Sequence, residues 1–260
     1  MATKQRTTNV YSLEGEVVKS VPVPAVFETQ FRPDLIKKAV VAAEANRRQA
    51  YGPSPESGMR HSVSTWGKGR GVSRVQRLKD GRKGAQSPNN VSGRRAHPPK
   101  PEKDWSKKMN QKERTLARLS ALAAVGSEEA VRDRGHQFAD GVSFPVVIED
   151  RMQELISTQE VYAALSSIGL DYDVDRAKDG RKIRAGRGTM RNRKYRTPRS
   201  ILLVVAERDL PLFKGAANLP GVEVEAVCGL NSDVLAPGGD PGRLTVFSES
   251  AINAIGGWEQ

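Results

Sequence analysis

The feature that most constrains the fold of this chain is a long stretch without regular periodicity, from Tyr51 to Lys108. It contains eight glycines and six prolines, and neither a period of two nor one of 3.6 residues persists through it. Loops longer than about 12–15 residues are uncommon in compact domains and are usually functional or disordered. The stretch has few apolar residues, so it cannot build a core of its own. We therefore expect it to become ordered only against a partner, and to exchange its amide hydrogens rapidly in the free protein.

Positive charge is concentrated in two segments. Residues 46–112 contain 17 Lys and Arg against 4 Asp and Glu, and residues 176–199 contain 11 against 1. Because the whole chain carries a formal +12 and these two basic tracts together carry +23, the rest carries −11. Such segregation favours a polyanion partner, since each neutralised phosphate releases condensed counterions. The alternative of two solvated loops or a membrane-surface patch is weaker, because neither tract is an amphipathic basic helix.

Composition excludes several classes of protein. No apolar run reaches the roughly 20 residues of a membrane-spanning helix. The polar residues 1–10 lack the apolar segment of a signal peptide. The single cysteine, Cys228, has no partner for an internal disulfide, and with three scattered histidines (His61, His97 and His136) it does not supply a four-ligand zinc site. We expect a soluble, intracellular, basic protein without a metal centre.

Apolar runs and capping residues predict regular structure on both sides of the long loop. Strands are predicted at 9–23 (as a hairpin), 144–149, 170–174, 200–206, 222–227 and 243–247. Helices are predicted at 32–48, 110–126, 128–134, 158–168, 210–217 and 248–255. In the helix at 110–126, Asn110 and Glu113 fit a capping arrangement. Its apolar face is expected to contain Leu116, Leu119 and Ala123.

Continuous apolar strands separated by helices indicate a sheet covered on both faces. The predicted fold class is α/β: a Rossmann-like, mostly parallel sheet flanked by helices, with a long extended irregular loop inserted near the N-terminus. The predicted organisation has three parts. Residues 1–49 and 110–260 form the globular α/β domain, residues 50–109 form the extended basic loop, and residues 176–199 form a second basic loop within the globular domain.

A nucleotide or catalytic site is not indicated. Residues 66–71, W-G-K-G-R-G, differ from G-x-G-x-x-G and lie inside the loop rather than between a strand and a helix. His136 follows a predicted helix, where capping is its expected role. The pair at 149–150, Glu-Asp, fits capping or solvation at a strand end better than catalysis. Cys228 fits a small core residue. We expect no cofactor and no enzymatic activity.

The basic tracts favour structured RNA over duplex DNA. Neither tract is predicted to contain a helix suited to the major groove, and no zinc-finger or helix-turn-helix pattern is present. Arg outnumbers Lys in residues 182–199, and planar guanidinium groups suit bidentate phosphate contacts and base stacking. Trp66 and Trp105 are expected either to stack on unpaired bases or to anchor the loop's own packing, and the sequence does not decide between these roles.

Several segments resemble the motifs of a known family. They are V-F-E-T at 26–29, R-P-D-L-I-K-K-A-V at 32–40, A-A-E-A-N-R-R-Q-A-Y-G at 42–52, W-G-K-G-R-G at 66–71, A-H-P-P-K at 96–100, N-Q-K-E-R at 110–114, D-R-G-H at 133–136, S-T-Q-E-V at 157–161, N-R-K-Y-R-T-P at 192–198 and L-A-P-G-G-D-P-G-R-L-T-V-F-S-E-S-A at 235–251. On these segments, which cover nearly the whole chain, the sequence resembles the universal L-four family of large-ribosomal-subunit proteins in its archaeal and eukaryotic form. The A-H-P-P-K and L-A-P-G-G segments resemble the archaeal form.

The resemblance implies a structural, non-enzymatic protein of the large ribosomal subunit in the cytoplasm. It implies that the body binds large-subunit (23S) rRNA beside neighbouring ribosomal proteins and helps subunit assembly. It also implies that the loop penetrates the rRNA and meets the nascent polypeptide in the exit tunnel. The tunnel tip corresponds to Trp66, Gly67, Lys68, Gly69, Arg70, Gly71, Val72, Ser73 and Arg74. The expected rRNA-binding residues are Arg47, Arg48, Arg60, His61, Trp66, Lys68, Arg70, Arg74, Arg77, Arg82, Lys83, Arg94, Arg95, His97, Lys100, Lys182, Arg184, Arg187, Arg191, Arg193, Lys194, Tyr195, Arg196 and Arg199. The resemblance implies no partner among DNA or membranes. It assigns nothing to residues 209–222, whose length looks variable in the family.

Two other functions stay open on the residues alone. An RNA-modifying enzyme, such as a methyltransferase using the Rossmann-like body, needs a cofactor loop after the first parallel strand. Here the strand at 144–149 leads into D-R-M-Q-E-L-I, which contains no glycine. A regulatory RNA-binder would bind its own messenger, which nothing in the sequence indicates. Binding of S-adenosylmethionine or of that messenger by the purified protein would separate these functions from a structural role.

Overall fold

A central sheet of short, buried strands organises the chain in this computed structural model, which describes residues 6–258. The strands are β1 (Thr7–Tyr11), β2 (Val17–Pro22), β3 (Val63–Ser64), β4 (Arg77–Leu78), β5 (Val146–Ile148), β6 (Lys182–Ile183), β7 (Tyr195–Arg196), β8 (Leu202–Val205), β9 (Glu223–Ala226) and β10 (Thr245–Ser248). The α-helices are α1 (Pro33–Arg47), α2 (Gln111–Val125), α3 (Glu128–Asp133), α4 (Thr158–Ser167), α5 (Asp171–Asp179), α6 (Leu212–Ala216), α7 (Ser232–Leu235) and α8 (Glu249–Gly256). Within residues 6–258, no helix is both long and apolar enough to cross a membrane.

The sheet has six strands in the order β2-β1-β5-β10-β8-β9. Five of these strands run parallel, and β2 pairs antiparallel with β1 at one edge. The central strands read as continuous apolar runs, V-V-I in β5 and L-L-V-V in β8, and every residue in both is buried. Strands that are buried on both faces need this pattern, because helices cover each side of the sheet. The predicted α/β class with a mostly parallel sheet is confirmed.

Alternate strand residues face two separate cores. On one side, Val147, Val204 and Phe247 pack with buried residues of α1, α2, α7 and α8. On the other side, Ile148 and Leu203 pack with buried residues of α3, α4, α5 and α6. The period of two along each strand therefore divides the body into three layers, with one helical layer on each face of the sheet.

The predicted helices and all but one of the predicted strands are present, with ends that differ by a few residues. The strand predicted at 170–174 is wrong, because this segment enters helix α5. Leu170, Asp173, Val174 and Ala177 are buried together, and their spacing of three to four residues is helical. Residues 170–174, L-D-Y-D-V, alternate between apolar and polar side chains as a strand does, because the buried position 173 is an aspartate.

Two predictions about side chains of α2 are also wrong. Asn110 stands at the N-cap of α2 without a side-chain hydrogen bond to the helix, and Glu113 instead pairs with Lys38 of α1 at 2.8 Å. Leu116 is 47% exposed, because α2 buries a face that includes Leu119 and is turned away from Leu116. Helix α2 packs against the 3₁₀ turn at Ala25–Glu28 and against α7, and these contacts determine which of its faces is buried.

Cys228 is exposed, which contradicts its predicted place in the core. Strand β9 ends at Ala226, and the chain then makes a single 3₁₀ turn over Val227–Gly229. Val227 takes the buried position in that turn. The neighbouring thiol therefore faces solvent.

Residues 44–107 form a second compact unit, which we call the loop unit; we call the rest of the described chain the body. The loop unit is irregular, but it contains one short antiparallel pair, β3 with β4, which the sequence did not predict. Hydrogen bonds from Leu78 N to Lys83 O and from Ala85 N to Gln76 O extend this local structure. Among its residues, all of which the structure describes, Ala85 is the one buried residue. The loop unit thus has backbone order without a hydrophobic core.

Candidate nucleic-acid interface

The residues predicted to bind rRNA form an almost completely exposed cationic surface. All of them are solvent-exposed except Trp66 and Arg77, which are half-buried. Arg60 has a carboxylate partner in Glu56, and Arg199 has one in Glu223. Exposure of this many guanidinium and ammonium groups on irregular chain is what phosphate contacts require.

Trp66 anchors the tip segment of the loop unit through cation–π contacts. The guanidinium carbons of Arg70 and Arg77 lie 5.9 and 5.4 Å from its ring centroid. Arg77 also donates to the carbonyls of Ser73 and Arg82. Trp66 therefore packs within its own segment, which favours the anchoring role over base stacking.

Trp105 has a similar environment near the end of the loop unit. The Arg48 guanidinium lies 4.8 Å and the Lys103 ammonium 4.5 Å from its ring centroid. Asn46 accepts a hydrogen bond from the amide of Lys107 at 2.8 Å. These contacts join the two ends of the loop unit, so Trp105 also acts as a packing anchor.

The tip needs glycine for its backbone. Gly67, Gly69 and Gly71 have φ angles of +73°, +82° and +64°, a region that L residues rarely adopt. No atom of the described residues lies within 4 Å of a β-carbon built at any of the three. The tip is therefore constrained by backbone conformation rather than by crowding.

The second basic tract is a small hairpin that projects cations from a short ladder. β6 pairs antiparallel with β7, and a 3₁₀ turn over Gly186–Arg191 connects them. Asn192 closes the turn with φ of +56°. The tract begins in the last turn of α5, so it contains more helix than the sequence predicted. Tyr195 lies under the Arg181 guanidinium at 4.3 Å, which stiffens the ladder between the exposed arginines.

A buried carboxylate fixes the hairpin to the body. We call His136, Asp173, Arg176 and Ser200 the Asp173 cluster. Asp173 is fully buried and accepts hydrogen bonds from His136 Nδ1 (3.0 Å), Arg176 Nε (2.8 Å) and Ser200 Oγ (2.7 Å). It also accepts one from the amide of Gln137 at 3.1 Å. Four donors from three chain segments thus meet at one side chain.

The same cluster holds the base of the hairpin. The Nη2 atom of Arg176 donates to the carbonyl of Arg199 at 2.8 Å, and Ser200 begins the run into β8. Both ends of the second tract are therefore tied to Asp173, one through α5 and the other through Ser200. The His136 side chain belongs to this cluster. Its backbone amide donates to the carbonyl of Val131 at 3.4 Å, beside Gly135 with φ of +96°, so the predicted capping role at the end of α3 is fulfilled by the backbone.

Electrostatics explain why this buried charge is stable. Burial alone would raise the pKa of Asp173, but hydrogen bonds from His136, Arg176 and Ser200 lower this pKa to about 2. Burial lowers the pKa of His136 below its usual range, so the ring is neutral at pH 7. The neutral ring then carries its proton on Nδ1, where it donates to the carboxylate.

Arg243 provides a second buried link beside this cluster. Its guanidinium donates to the carbonyls of Ser200 (3.1 Å) and Val234 (3.0 Å) and to Glu223 (2.7 Å). Burial lowers the pKa of Arg243 to about 9, which leaves the group protonated at neutral pH. Glu223 also pairs with Arg199. The predicted rRNA-binding residue Arg199 therefore has an acidic partner within the body. Neither Asp173 nor Arg243 was predicted from the sequence to have a role, although Arg243 lies in the motif P-G-R-L-T-V-F at 241–247.

The carboxyl edge of the sheet, where α/β proteins commonly bind cofactors, is filled by the chain itself. Asp150 accepts hydrogen bonds from the Ser250 amide at the start of α8 (3.0 Å) and from Ser250 Oγ (2.8 Å). A carboxylate there occupies the position where a helix N-terminus would hold a phosphate. The capping interpretation of Asp150 is confirmed. Among residues 6–258, no group of three or more metal-ligating side chains comes together.

Comparison with known proteins identifies the family. The family model described as "Ribosomal protein L4/L1 family" matches residues 21–258. The chain belongs to this family. Proteins of the ribosomal L4/L1 family similar to it are named "Large ribosomal subunit protein uL4". They include those of Haloquadratum walsbyi and Archaeoglobus fulgidus, each 47% identical over 248 and 249 residues respectively. These alignments cover 95% and 96% of this chain and 98% of each relative.

A third relative, from Methanococcoides burtonii, is 47% identical over 251 residues and carries the same name. These three organisms' proteins match this L4/L1 chain along almost its whole length, including the loop unit. The resemblance read from the motifs, including its archaeal character, is therefore confirmed.

Proposed function

We propose that this protein is a structural constituent of the large ribosomal subunit in the cytoplasm and binds large-subunit (23S) rRNA. It contributes to subunit assembly through the body and the loop unit together. The division of labour follows the predicted organisation: an α/β body, an rRNA-penetrating loop at 50–109 and a second basic loop at 176–199. It has no catalytic role. The names of its relatives and its family membership support this assignment.

The observation that carries the proposal is that the predicted rRNA-binding cations are concentrated in two tracts and are almost all exposed, whereas the rest of the chain is net acidic. Neutralising phosphates releases counterions, which offsets the cost of ordering flexible chain, about 1–2 kcal/mol per residue for the backbone. A loop unit with one buried residue gains little from its own packing. Its stable conformation is therefore expected in contact with RNA.

The tip segment 66–74 forms part of the wall of the polypeptide exit tunnel and faces the nascent chain. Its backbone glycines and exposed Lys68 and Arg74 support this placement, because they present a polar surface with few apolar groups to a passing peptide. Neighbouring large-subunit proteins pack on the body. DNA and membranes are not partners.

Filter binding of the full-length protein to large-subunit rRNA, repeated over a range of salt concentrations, tests the proposal. We expect tight binding whose logarithm falls linearly with the logarithm of salt concentration, with a slope near −0.9 per neutralised phosphate. Replacing Arg187, Arg191 and Arg193 by Gln should reduce the steepness by about two to three units. The matched control replaces three exposed cations outside both tracts, Lys37, Arg208 and Lys214.

Equal slopes for the tract variant and its control would contradict an interface at the second tract. Absence of rRNA binding by the wild-type protein would contradict the proposed function itself.

A further inference from the structure

A cleft on the body carries two arginines, Arg114 and Arg118, that lie outside both basic tracts. It has a volume of about 310 Å³ and lies between α2 and the residues that lead into α7. Gln111, Arg114, Thr115 and Arg118 form one wall. Their spacing of i, i+3, i+4 and i+7 places them on a single face of α2. Residues 230–232, Leu-Asn-Ser, form the other wall.

The two arginines of this cleft lack acceptors. Within residues 6–258, the side chain of neither Arg114 nor Arg118 forms an ion pair or donates a hydrogen bond to the protein. Among residues 6–258 no carboxylate lines the cleft, and the adjacent Glu113 is engaged with Lys38. Burial and then the charge of Arg114 lower the pKa of Arg118, so the two guanidinium groups repel each other. An anion between them would relieve this repulsion.

The side chains around the arginines are held in place. The Arg118 guanidinium lies 4.1 Å from the Trp258 ring centroid, which fixes its plane, and its Nε is buried without a partner. Asn231 uses its Oδ1 to accept from the amides of Asp233 and Val234, both at 2.9 Å. This leaves the Nδ2 of Asn231 as a donor. A preorganised group loses less entropy on binding than a mobile one.

We propose that this cleft binds a backbone phosphate of rRNA and is a third RNA contact of the protein. Two guanidinium groups, the Gln111 and Asn231 amides and the Thr115 hydroxyl provide several donors for the non-bridging oxygens of one phosphodiester. A peptide carboxylate also has two oxygens for these donors, so the test below distinguishes RNA from an acidic peptide. The contact deepens the proposed function and rests on it.

The position of the cleft gives the contact a distinct role. α2 and α7 cover one face of the sheet, whereas α5, which leads into the second tract, covers the other. RNA bound at the cleft and at the hairpin therefore holds the body from both faces of the sheet. Both arginines of this contact lie outside the two basic tracts.

The test is binding of the full-length protein to large-subunit rRNA, with hydroxyl-radical footprinting of the RNA backbone. Arg114→Gln and Arg118→Gln should each weaken binding about tenfold, the effect of losing one charge-assisted contact. Each should reduce the salt slope by about one and abolish one patch of backbone protection. Lys37→Gln removes an equal charge from the exposed surface of α1, outside the cleft and both basic tracts, and it should leave affinity and footprint unchanged.

Thermal unfolding of each variant separates lost contacts from lost folding. Arg114 is exposed, so Arg114→Gln should melt with the wild type, and Arg114→Lys should recover part of the affinity. Wild-type affinity and footprint in both Gln variants would overturn the inference while leaving the proposed function intact. An equal loss in Lys37→Gln would also overturn it. So would a loss of binding to neighbouring ribosomal proteins alone, because the cleft would then take an acidic peptide. If the wild type bound no rRNA, both the inference and the proposed function would fail.

Discussion

Replacing Asp173 by Asn should destabilise the body more than any change at the exposed cationic surface. The carboxylate accepts hydrogen bonds from four donors, contributed by His136, Gln137, Arg176 and Ser200. An amide of the same shape accepts through one oxygen only and turns an N–H₂ group towards the remaining donors. If the amide oxygen takes the Oδ1 position, it keeps the Gln137 amide and Arg176 Nε, and the NH₂ group faces Ser200 and His136 in place of an acceptor. The arginine also loses its ionic partner.

The expected loss follows from these contacts. An unpaired buried donor costs about 1–3 kcal/mol, and breaking one side of a buried ion pair costs about 3–5 kcal/mol. Because the Arg176 side chain is a quarter exposed and regains water, we expect about 3 kcal/mol in the free energy of unfolding. Urea unfolding followed by far-ultraviolet circular dichroism measures it.

The control is Asp175→Asn, the same change at an exposed position of the same helix. It should alter the free energy of unfolding by less than about 0.5 kcal/mol. A loss below about 1 kcal/mol for Asp173→Asn would refute the reasoning, since it would mean that the four donors find other acceptors. The predicted loss of about 3 kcal/mol, if hydrogen exchange in the hairpin stayed unchanged, would refute the claim that Asp173 fixes the second tract.

The remaining predictions concern pH, the loop unit and the tip. Because the folded pKa of Asp173 is lowered to about 2, its stabilisation is present above about pH 4 and is lost as the pH falls towards 2. Urea midpoints should show that loss, about 2 kcal/mol, in the wild type but not in Asp173→Asn. In the free protein, amide hydrogen exchange should be rapid across residues 52–108, with Leu78 and Ala85 the slowest in that range. Exchange in β8 should be far slower. If residues 52–108 were protected as strongly as β8, the expected lack of a core in the loop would be contradicted. Gly69→Phe strains the tip and adds an apolar ring, so it should slow elongation by ribosomes that assemble normally, whereas Gly81→Phe outside the tip should not. Unchanged elongation in Gly69→Phe would count against the tunnel placement.

The parallel sheet was predictable because its strands carry the signal locally. Runs such as I-L-L-V-V at 201–205 have no polar face, and only a strand buried on both sides accommodates them. The two tracts were likewise predictable, since charge and glycine content are properties of composition. Their exposure in the structure agrees with that interpretation.

The errors arose where contacts, not local pattern, determine the outcome. Asp173 can be buried on α5 because donors 36 positions before it and 27 positions after it form hydrogen bonds with its carboxylate. A single sequence does not distinguish such a buried aspartate from a solvated one. Leu116 and Cys228 show the opposite case. Each has a side chain that is commonly buried, but it lies on a side of its helix or turn that no other element covers. The Arg114–Arg118 cleft was missed for the same reason, since its second wall is more than a hundred residues away.

The most direct test of the central claim is sedimentation of a gentle lysate of cells that naturally produce the protein. The lysate is run through a sucrose gradient at low and at high salt, and the protein is quantified in each fraction by mass spectrometry. The account predicts stoichiometric co-migration with the large ribosomal subunit that survives high salt, because the loop is threaded into rRNA. Migration as a free protein, or an association that high salt removes, would contradict it.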